Sequence, residues 1–145
     1  MISNYDEAYS NGAFITDGDS YPARWAEAAA AFRAALPAGC RAELDQTYGP
    51  GGARQRFDLF HPAGVPKGLC VFVHGGYWMR FSKDDWSHLA VVRWRGLGGG
   101  FSQLHAGTEA TISTMTGEIA KAISAAASRI AGPSALRGIL PEDSW

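Results

Sequence analysis

The chain has 145 residues, of which 46% are hydrophobic and 19% charged, and its net charge is −1. This length suffices for one domain with a sizeable core, and the scattered, nearly balanced charge argues against nucleic acid or an anionic membrane as partner. No segment approaches the ~20 apolar residues of a membrane span, and the polar, acidic start is unlike a signal peptide. We therefore expect a cytoplasmic protein in which Cys40 and Cys70 are reduced and Cys70 packs in the core.

A helix is the first strong pattern, after a polar arm of residues 1–19. Ser20 is a typical N-cap, Pro22 suits the first turn, and the alanine-rich stretch that follows favours a helix that ends before Gly39. Its expected apolar face consists of Trp25, Ala28, Ala29, Phe32 and Leu36.

After this helix, apolar residues recur at every second position, which is the period of a β-strand. RAELDQTYG (41–49) and RQRFDLFHP (54–62) alternate apolar and polar residues around a Gly-Pro turn, which predicts a β-hairpin. LCVFV (69–73) is apolar on both faces, which is typical of a central buried strand. HGGYW follows it, and a helix is expected to begin near Lys83, so that strand, loop and helix open an α/β layer structure.

Residues 93–110 show neither the helical nor the strand spacing of apolar residues, and four glycines surround Leu97. No buried strand is therefore expected there. A helix is expected after Thr111, with Ser113 or Thr114 as its cap and Gly132 as its stop. Its apolar stripe consists of Ile112, Met115, Ile119, Ile123 and Ile130. Residues 134–145 match neither a helix nor a strand.

His-Gly-Gly between a strand and a helix is the arrangement in which an α/β hydrolase builds half of its oxyanion hole. The tetrahedral intermediate carries negative charge on oxygen, and backbone N–H groups reach it best where no Cβ intervenes. Gly75 and Gly76, with Tyr77, are therefore candidate oxyanion donors, and His74 and Trp78 are candidates for the substrate pocket. The alternative is a tight turn with a packed histidine, in which the aromatic side chains only pack the loop.

The segments DEAYSNGAFI, YPARW, RFDLFHP and VHGGYW with DWSHLA together resemble bacterial α/β hydrolases of the esterase class and the kynurenine formamidases. The resemblance covers residues 5–92 and 111–133. It implies an incomplete α/β-hydrolase fold in one truncated domain spanning 1–145, with an N-terminal helix, a β-hairpin, a central strand and flanking helices. It also implies serine-dependent hydrolysis of a small carboxylic ester or arylformamide, without metal or other cofactor.

The nucleophile elbow Gly-x-Ser-x-Gly does not occur in the sequence, and no Asp and His follow in the places that the family requires. No catalytic residue is therefore identified, and we expect this chain to be inactive. Ser82 and Ser87 are expected to be structural hydroxyls, and the four histidines lack the spacing of a zinc site. The alternative to a hydrolase is a non-catalytic product of a truncated pseudogene, or a weak binding module that keeps the pocket wall.

Both segments that break the family pattern can restore it in another reading frame. Codons permitted for residues 97–109, LGGGFSQLHAGTE, read WAVAFPSYTLAP one nucleotide forward, which is an apolar strand and a small-residue turn. Codons permitted for residues 134–145, SALRGILPEDSW, read IRLAGHSAGGLV with one preceding A, which is a strand and a nucleophile elbow. Because both runs are uninterrupted, we infer that 93–110 and 134–145 are out of frame.

Overall fold

A computed structural model describes residues 4–75, 80–90, 98–103 and 111–131 of the chain. The helices in these ranges are α1 (Tyr5–Ala8), α2 (Tyr21–Ala34) and α3 (Ile112–Ala131). The strands are β1 (Arg41–Thr47), β2 (Arg56–His61), β3 (Leu69–Val73) and β4 (Gly98–Gln103). Short 3-10 turns lie at Asn11–Phe14, Gly18–Ser20, Gly52–Arg54 and Lys83–Asp85.

The strands form one mixed sheet in the order β1-β2-β4-β3. β1 and β2 pair antiparallel, so the predicted hairpin is confirmed, and a bulge between Glu43 and Gln46 interrupts its register. β2 also pairs antiparallel with β4, whereas β3 pairs parallel with β4. Parallel and antiparallel neighbours therefore meet at β4.

The prediction that residues 93–110 contain no strand is wrong for Gly98–Gln103, which forms β4. Glycine has no side chain with which to show a period, so the sequence pattern could not reveal this strand. Pairing on both sides accounts for it, since Leu59 and Val71 both lie opposite Gly100.

The prediction that LCVFV is a central buried strand is also wrong, because β4 inserts between β2 and β3 and leaves β3 at the edge of the described sheet. Four of its residues are half-buried, and Cys70 is exposed rather than part of the core. Both cysteines are free thiols.

Helices cover both faces of the sheet, in agreement with the predicted flanking helices. On one face Phe57 and Leu59 pack with Ala126 of α3 in a buried cluster. On the other face Phe60 packs against Phe32 of α2, with the two rings in an edge-to-face contact at 5.5 Å. β2 therefore joins two cores, because its successive side chains point to opposite faces.

Ser20 is the N-cap residue of α2, as predicted, but its side chain does not cap the helix. The hydroxyl of Ser20 makes no capping hydrogen bond to the helix and instead donates to the carbonyl oxygen of Asp17 at 2.8 Å. Within the predicted apolar face, Ala29 is fully buried whereas Ala28 is exposed.

The helix predicted after Thr111 is confirmed as α3, but its cap differs from the predicted Ser113 or Thr114. The Oγ1 atom of Thr111 accepts the backbone N–H of Thr114 at 3.1 Å, which is an N-cap bond. Ile112 and Ile123 of the predicted stripe are exposed. The buried positions of α3 are Met115, Glu118, Ala122 and Ala126.

We predict that Cys70→Lys reduces self-association of the chain. β3 is an uncharged, proline-free edge strand, and such edges pair with other chains unless a charge blocks them. The variant is expected to raise the concentration at which oligomers appear by roughly tenfold, the factor that about 1.4 kcal/mol of lost pairing gives. Light scattering after size-exclusion chromatography in reducing buffer measures this.

The control is Val65→Lys, which changes the net charge equally at a position that is 90% exposed and lies outside the strand. It is expected to behave like the wild type. A wild type that stays monomeric at every concentration, or equal effects of the two lysines, would contradict the prediction.

Candidate functional site

The candidate site begins where β3 ends, at His74 and Gly75. The His74 ring is only 3% exposed, and its Nδ1 lies 2.9 Å from the carbonyl oxygen of Gly75. A carbonyl can only accept, so Nδ1 carries the proton of this hydrogen bond. Nε2 is buried and has no hydrogen-bond partner among the described residues.

Gly75 is exposed at the end of the strand. A Cβ built on it would meet no atom of the described residues within 4 Å. Gly76, Tyr77 and Trp78 lie outside the described residues, and their roles in the oxyanion hole and the pocket stay predictions. His74 and Gly75 therefore both lie at the carboxyl end of β3, with Gly75 exposed to solvent.

An aromatic cluster surrounds Phe81, six residues after Gly75. Phe81 has a positive φ of 69°, and its ring makes edge contacts with Trp25 at 5.8 Å and with Trp86 at 6.0 Å. Trp25 and Trp86 lie 4.7 Å apart, and Trp86 also contacts Phe72 of β3 at 5.9 Å. We call Trp25, Phe72, Phe81 and Trp86 the aromatic cluster; it joins α2, β3 and the loop.

The segment after the loop is a 3-10 turn at Lys83–Asp85, so the α-helix predicted to begin near Lys83 is wrong within the described residues. Ser82 closes the turn in a capping box, since its hydroxyl accepts from Asp84 N–H at 3.2 Å and its own N–H donates to Asp85 Oδ2 at 2.8 Å. In an α-helix the Asp84 carbonyl would accept the backbone N–H of the residue four positions later. Here it accepts from the Arg33 guanidinium of α2 instead.

Ser87, expected on a helix surface, is completely buried. It accepts a hydrogen bond from Arg33 Nη1 at 2.7 Å. Arg33 therefore attaches the segment after the loop to α2.

A lysine side chain turns inward from the 3-10 turn and is 1% exposed. The Nζ atom of Lys83 lies 2.8 Å from Asp58 Oδ1, 2.9 Å from Asp45 Oδ1 and 2.7 Å from Asp84 Oδ1. Asp58 is completely buried in β2, and its Oδ1 also accepts the backbone N–H of Asp45 at 2.8 Å. We call these four residues the Lys83 cluster; it ties β1, β2 and the 3-10 turn together.

Protonation in the Lys83 cluster follows from burial and pairing. Burial lowers the pKa of Lys83, but its hydrogen bonds to the three carboxylates outweigh this and raise the pKa above its ordinary range. Burial raises the pKa of Asp58 by more than Lys83 lowers it. The hydrogen bond from Lys83 lowers the pKa of the more exposed Asp45. Lys83 therefore stays charged at neutral pH.

Pattern analysis did not identify the Lys83 cluster. Its members lie at positions 45, 58, 83 and 84, and only the fold brings them together. One signal was available, because Asp58 interrupts the apolar run of β2 between Phe57 and Leu59. A carboxylate in the middle of a strand that is buried on both faces requires a partner.

Other kinds of site find no support in the described part of the chain. No group of three His, Cys, Asp or Glu side chains there is placed to hold a metal ion. None of the helices that are described has the length and hydropathy that a bilayer span needs. A cavity of about 540 Å³ lies along α2, and its described lining includes Tyr21, Trp25 and Ala28 but neither His74 nor Gly75.

Comparison with solved structures finds a strong similarity over most of this chain. A protein from Silicibacter sp. TM1040, provisionally assigned as a thioesterase, is 47% identical, with a TM-score of 0.79 over 88% of this chain. This chain spans only 48% of that structure, about half its length. The solved structure of esterase B from Lactobacillus rhamnosis aligns with a TM-score of 0.50 and 16% identity, over 72% of this chain and 37% of the esterase.

No protein-family model and no curated protein matches the chain. The fold is nevertheless compatible with part of an esterase-like α/β hydrolase, because the structures it aligns with include the thioesterase-like protein and an esterase. The expected α/β fold class is supported at this level, and its incompleteness stays a prediction.

We predict that Lys83→Met lowers the free energy of unfolding by about 3 to 5 kcal/mol, because it leaves the buried Asp58 carboxylate without its partner. The double variant Lys83→Met/Asp58→Asn is expected to recover most of this loss, since the introduced amide is neutral and its oxygen can still accept the N–H of Asp45. Urea denaturation followed by circular dichroism measures both values.

Lys121→Met is the matched control, because Lys121 is an exposed lysine of α3. Its effect is expected to stay within about 0.5 kcal/mol. Equal losses in Lys83→Met and Lys121→Met would show that the buried ion pair does not stabilise this fold.

Proposed function

We propose that this chain carries the oxyanion side of a serine hydrolase that acts on ester-type substrates, in the first place carboxylic esters. The observation that carries the proposal is the position of Gly75, which is exposed at the carboxyl end of β3. The chain that contains it is 47% identical in sequence to the thioesterase-like protein. Backbone N–H groups at such a strand end suit the developing oxyanion of acyl transfer. Thioesters and arylformamides pass through the same kind of intermediate and are the further candidate substrates.

In the proposed reaction a serine Oγ attacks the substrate carbonyl carbon, and a histidine takes the serine proton and passes it to the leaving group. The carbonyl oxygen becomes negative and accepts N–H groups from Gly75, and by the sequence motif from Gly76 and Tyr77. Each such donor is worth about 3 to 4 kcal/mol in the transition state. Water then attacks the acyl-enzyme and releases the acid.

The nucleophile is proposed to be encoded in another reading frame. The 145 residues contain no Gly-x-Ser-x-Gly, whereas codons permitted for residues 134–145 can read GHSAGG in another frame. The position of β4 supports the frame shift that we infer for residues 93–110. Gly98–Gln103 forms a strand at the place where the alternative frame reads AVAFPS. That reading would give the strand the apolar side chains that GGGFSQ largely lacks.

A binding module that keeps only the pocket wall is the competing function, and the nucleophile separates the two. We predict that the chain as printed gives no acyl-enzyme burst with p-nitrophenyl acetate, since it has no elbow. Stopped-flow absorbance of released nitrophenolate is the measurement, with Gly75→Pro as the background control. Turnover above that control would contradict the proposed absence of a nucleophile.

The protein translated in the restored frame is expected to show the burst, and replacement of the serine in GHSAGG by alanine should abolish it. Gly75→Pro removes one N–H donor and is expected to reduce kcat by about 10²- to 10³-fold. Gly75→Ala is the comparison variant: it keeps the N–H, so its loss of kcat is expected to be smaller than that of Gly75→Pro and to come only from the added Cβ. A restored-frame protein that folds but hydrolyses no ester-type substrate would contradict the proposed function.

A further inference from the structure

Charged and titratable side chains from two strands and a helix meet at the end of the sheet opposite to Gly75. β2 runs antiparallel to β4 and β3 runs parallel to it, so His61, at the carboxyl end of β2, lies at that opposite end. Glu43 of β1 lies beside His61 and accepts a hydrogen bond from Arg129 Nη1 of α3 at 3.0 Å. Arg41, at the start of β1, contacts both Glu43 and His61.

Arg41 and His61 approach the same oxygen atom of the Glu43 carboxylate. Arg41 Nη1 contacts Oε1 of Glu43, and Nε2 of His61 lies 2.9 Å from the same atom. Arg129 contacts the other oxygen, Oε2. One oxygen is therefore shared by a permanent cation and by a ring that becomes a cation when it is protonated.

The neutral form of the His61 ring fits this arrangement. Arg41 Nη2 lies 3.3 Å from Nδ1 of His61, and a guanidinium can only donate, so Nδ1 accepts and the proton of the neutral ring is on Nε2. Although Nε2 is close to Glu43, its approach does not have the geometry of a hydrogen bond. The directional contact of the neutral ring is therefore the one with Arg41.

Protonation of His61 reverses this preference. A proton on Nδ1 would point at the Arg41 guanidinium, which sets two donors and two positive charges against each other at 3.3 Å. The charged ring is at the same time attracted to the Glu43 carboxylate, and this attraction is less directional than a hydrogen bond. Exposure decides which cation leaves, because the His61 side chain is 9% exposed whereas that of Arg41 is 61% exposed.

The pKa of His61 reflects the same contacts. Burial lowers this pKa below its ordinary value, the positive charge of Arg41 lowers it further, and Glu43 raises it. Among the described residues these are the charged groups that act on the ring, with Arg129 of α3 behind Glu43. The ring is therefore neutral at neutral pH and takes up its proton under acidic conditions.

We propose that Arg41 and His61 form a pH-sensitive switch, in which the protonated ring takes Oε1 of Glu43 and displaces Arg41 into solvent. The contact between Glu43 and Arg129 uses the other oxygen and stays in both states, so β1 remains attached to α3. Acidification thus releases an unpaired guanidinium at one end of the sheet while the fold is kept. The switch is independent of the proposed function, because it involves neither a nucleophile nor Gly75.

The first test follows the histidine ring signals of the chain as printed by NMR, from neutral to acidic pH. The His61 signals are identified by their absence in His61→Gln. Arg41→Met is expected to move the His61 titration to higher pH, because the competing cation is gone. Glu43→Gln is expected to move it to lower pH, because the attraction of the carboxylate is gone. Arg24→Met is the matched control, since Arg24 is an exposed arginine of α2, on the other face of the sheet, and it should leave the titration unchanged.

The second test follows Arg41 itself in the wild type, through the Nε–H signal of its guanidinium in ¹⁵N-arginine-labelled protein. This signal is assigned by its absence in Arg41→Met, or in Arg41→Lys if the first variant does not fold. It is expected to change with the same midpoint as the His61 ring, whereas the Arg129 signal is expected to stay in place.

A His61 titration that is the same in wild type and Arg41→Met would overturn the proposal. So would an Arg41 signal that does not follow the His61 titration. Loss of the native circular dichroism spectrum over the same pH range would also overturn it, since the chain would then unfold as a whole and not switch. None of these outcomes bears on ester hydrolysis by the restored-frame protein.

Discussion

A carboxylate buried in the middle of the sheet constrains much of this structure. Asp58 lies on the β2 face that packs toward α2, and it is completely shielded from solvent. An unpaired charge in such a place is strongly unfavourable, so an ammonium group must reach it. Lys83 does so, and its backbone then has to form the 3-10 turn that Arg33 of α2 also holds. The bulge of β1 and the end of the loop after β3 follow from the same requirement.

Elements with a clear period were predictable from the sequence. The β1–β2 hairpin, α2 and α3 each combine a helix or strand pattern with turn or stop residues, and short-range physics decides them. β4 was not predictable, because Gly98–Gln103 is glycine-rich and becomes a strand only through its two neighbours. The position of β3 next to β4 depends on that insertion, so it could not be predicted from the apolar pattern of LCVFV alone.

The candidate site divides in a similar way. His74 and Gly75 could be located from a local motif, since the chemistry of an oxyanion donor demands glycine at a strand end. The Lys83 cluster and the aromatic cluster could not be found in this way, because they join residues that are far apart in the sequence. Asp58 alone gave a warning, as a charge within an apolar strand. Its partner could be named only once the fold had brought Lys83 over β2.

The similarity to the thioesterase-like structure and the absence of an elbow fit together if the printed chain is a partly shifted translation of a longer hydrolase gene. The similar structure is about twice as long as the matched part, and the fold of that part is kept. The direct measurement is the DNA sequence that encodes residues 92–145. The account predicts that single-nucleotide shifts near codons 92, 110 and 133 yield an apolar strand and then Gly-His-Ser-Ala-Gly-Gly. Codons that cannot give this elbow in any frame would contradict it.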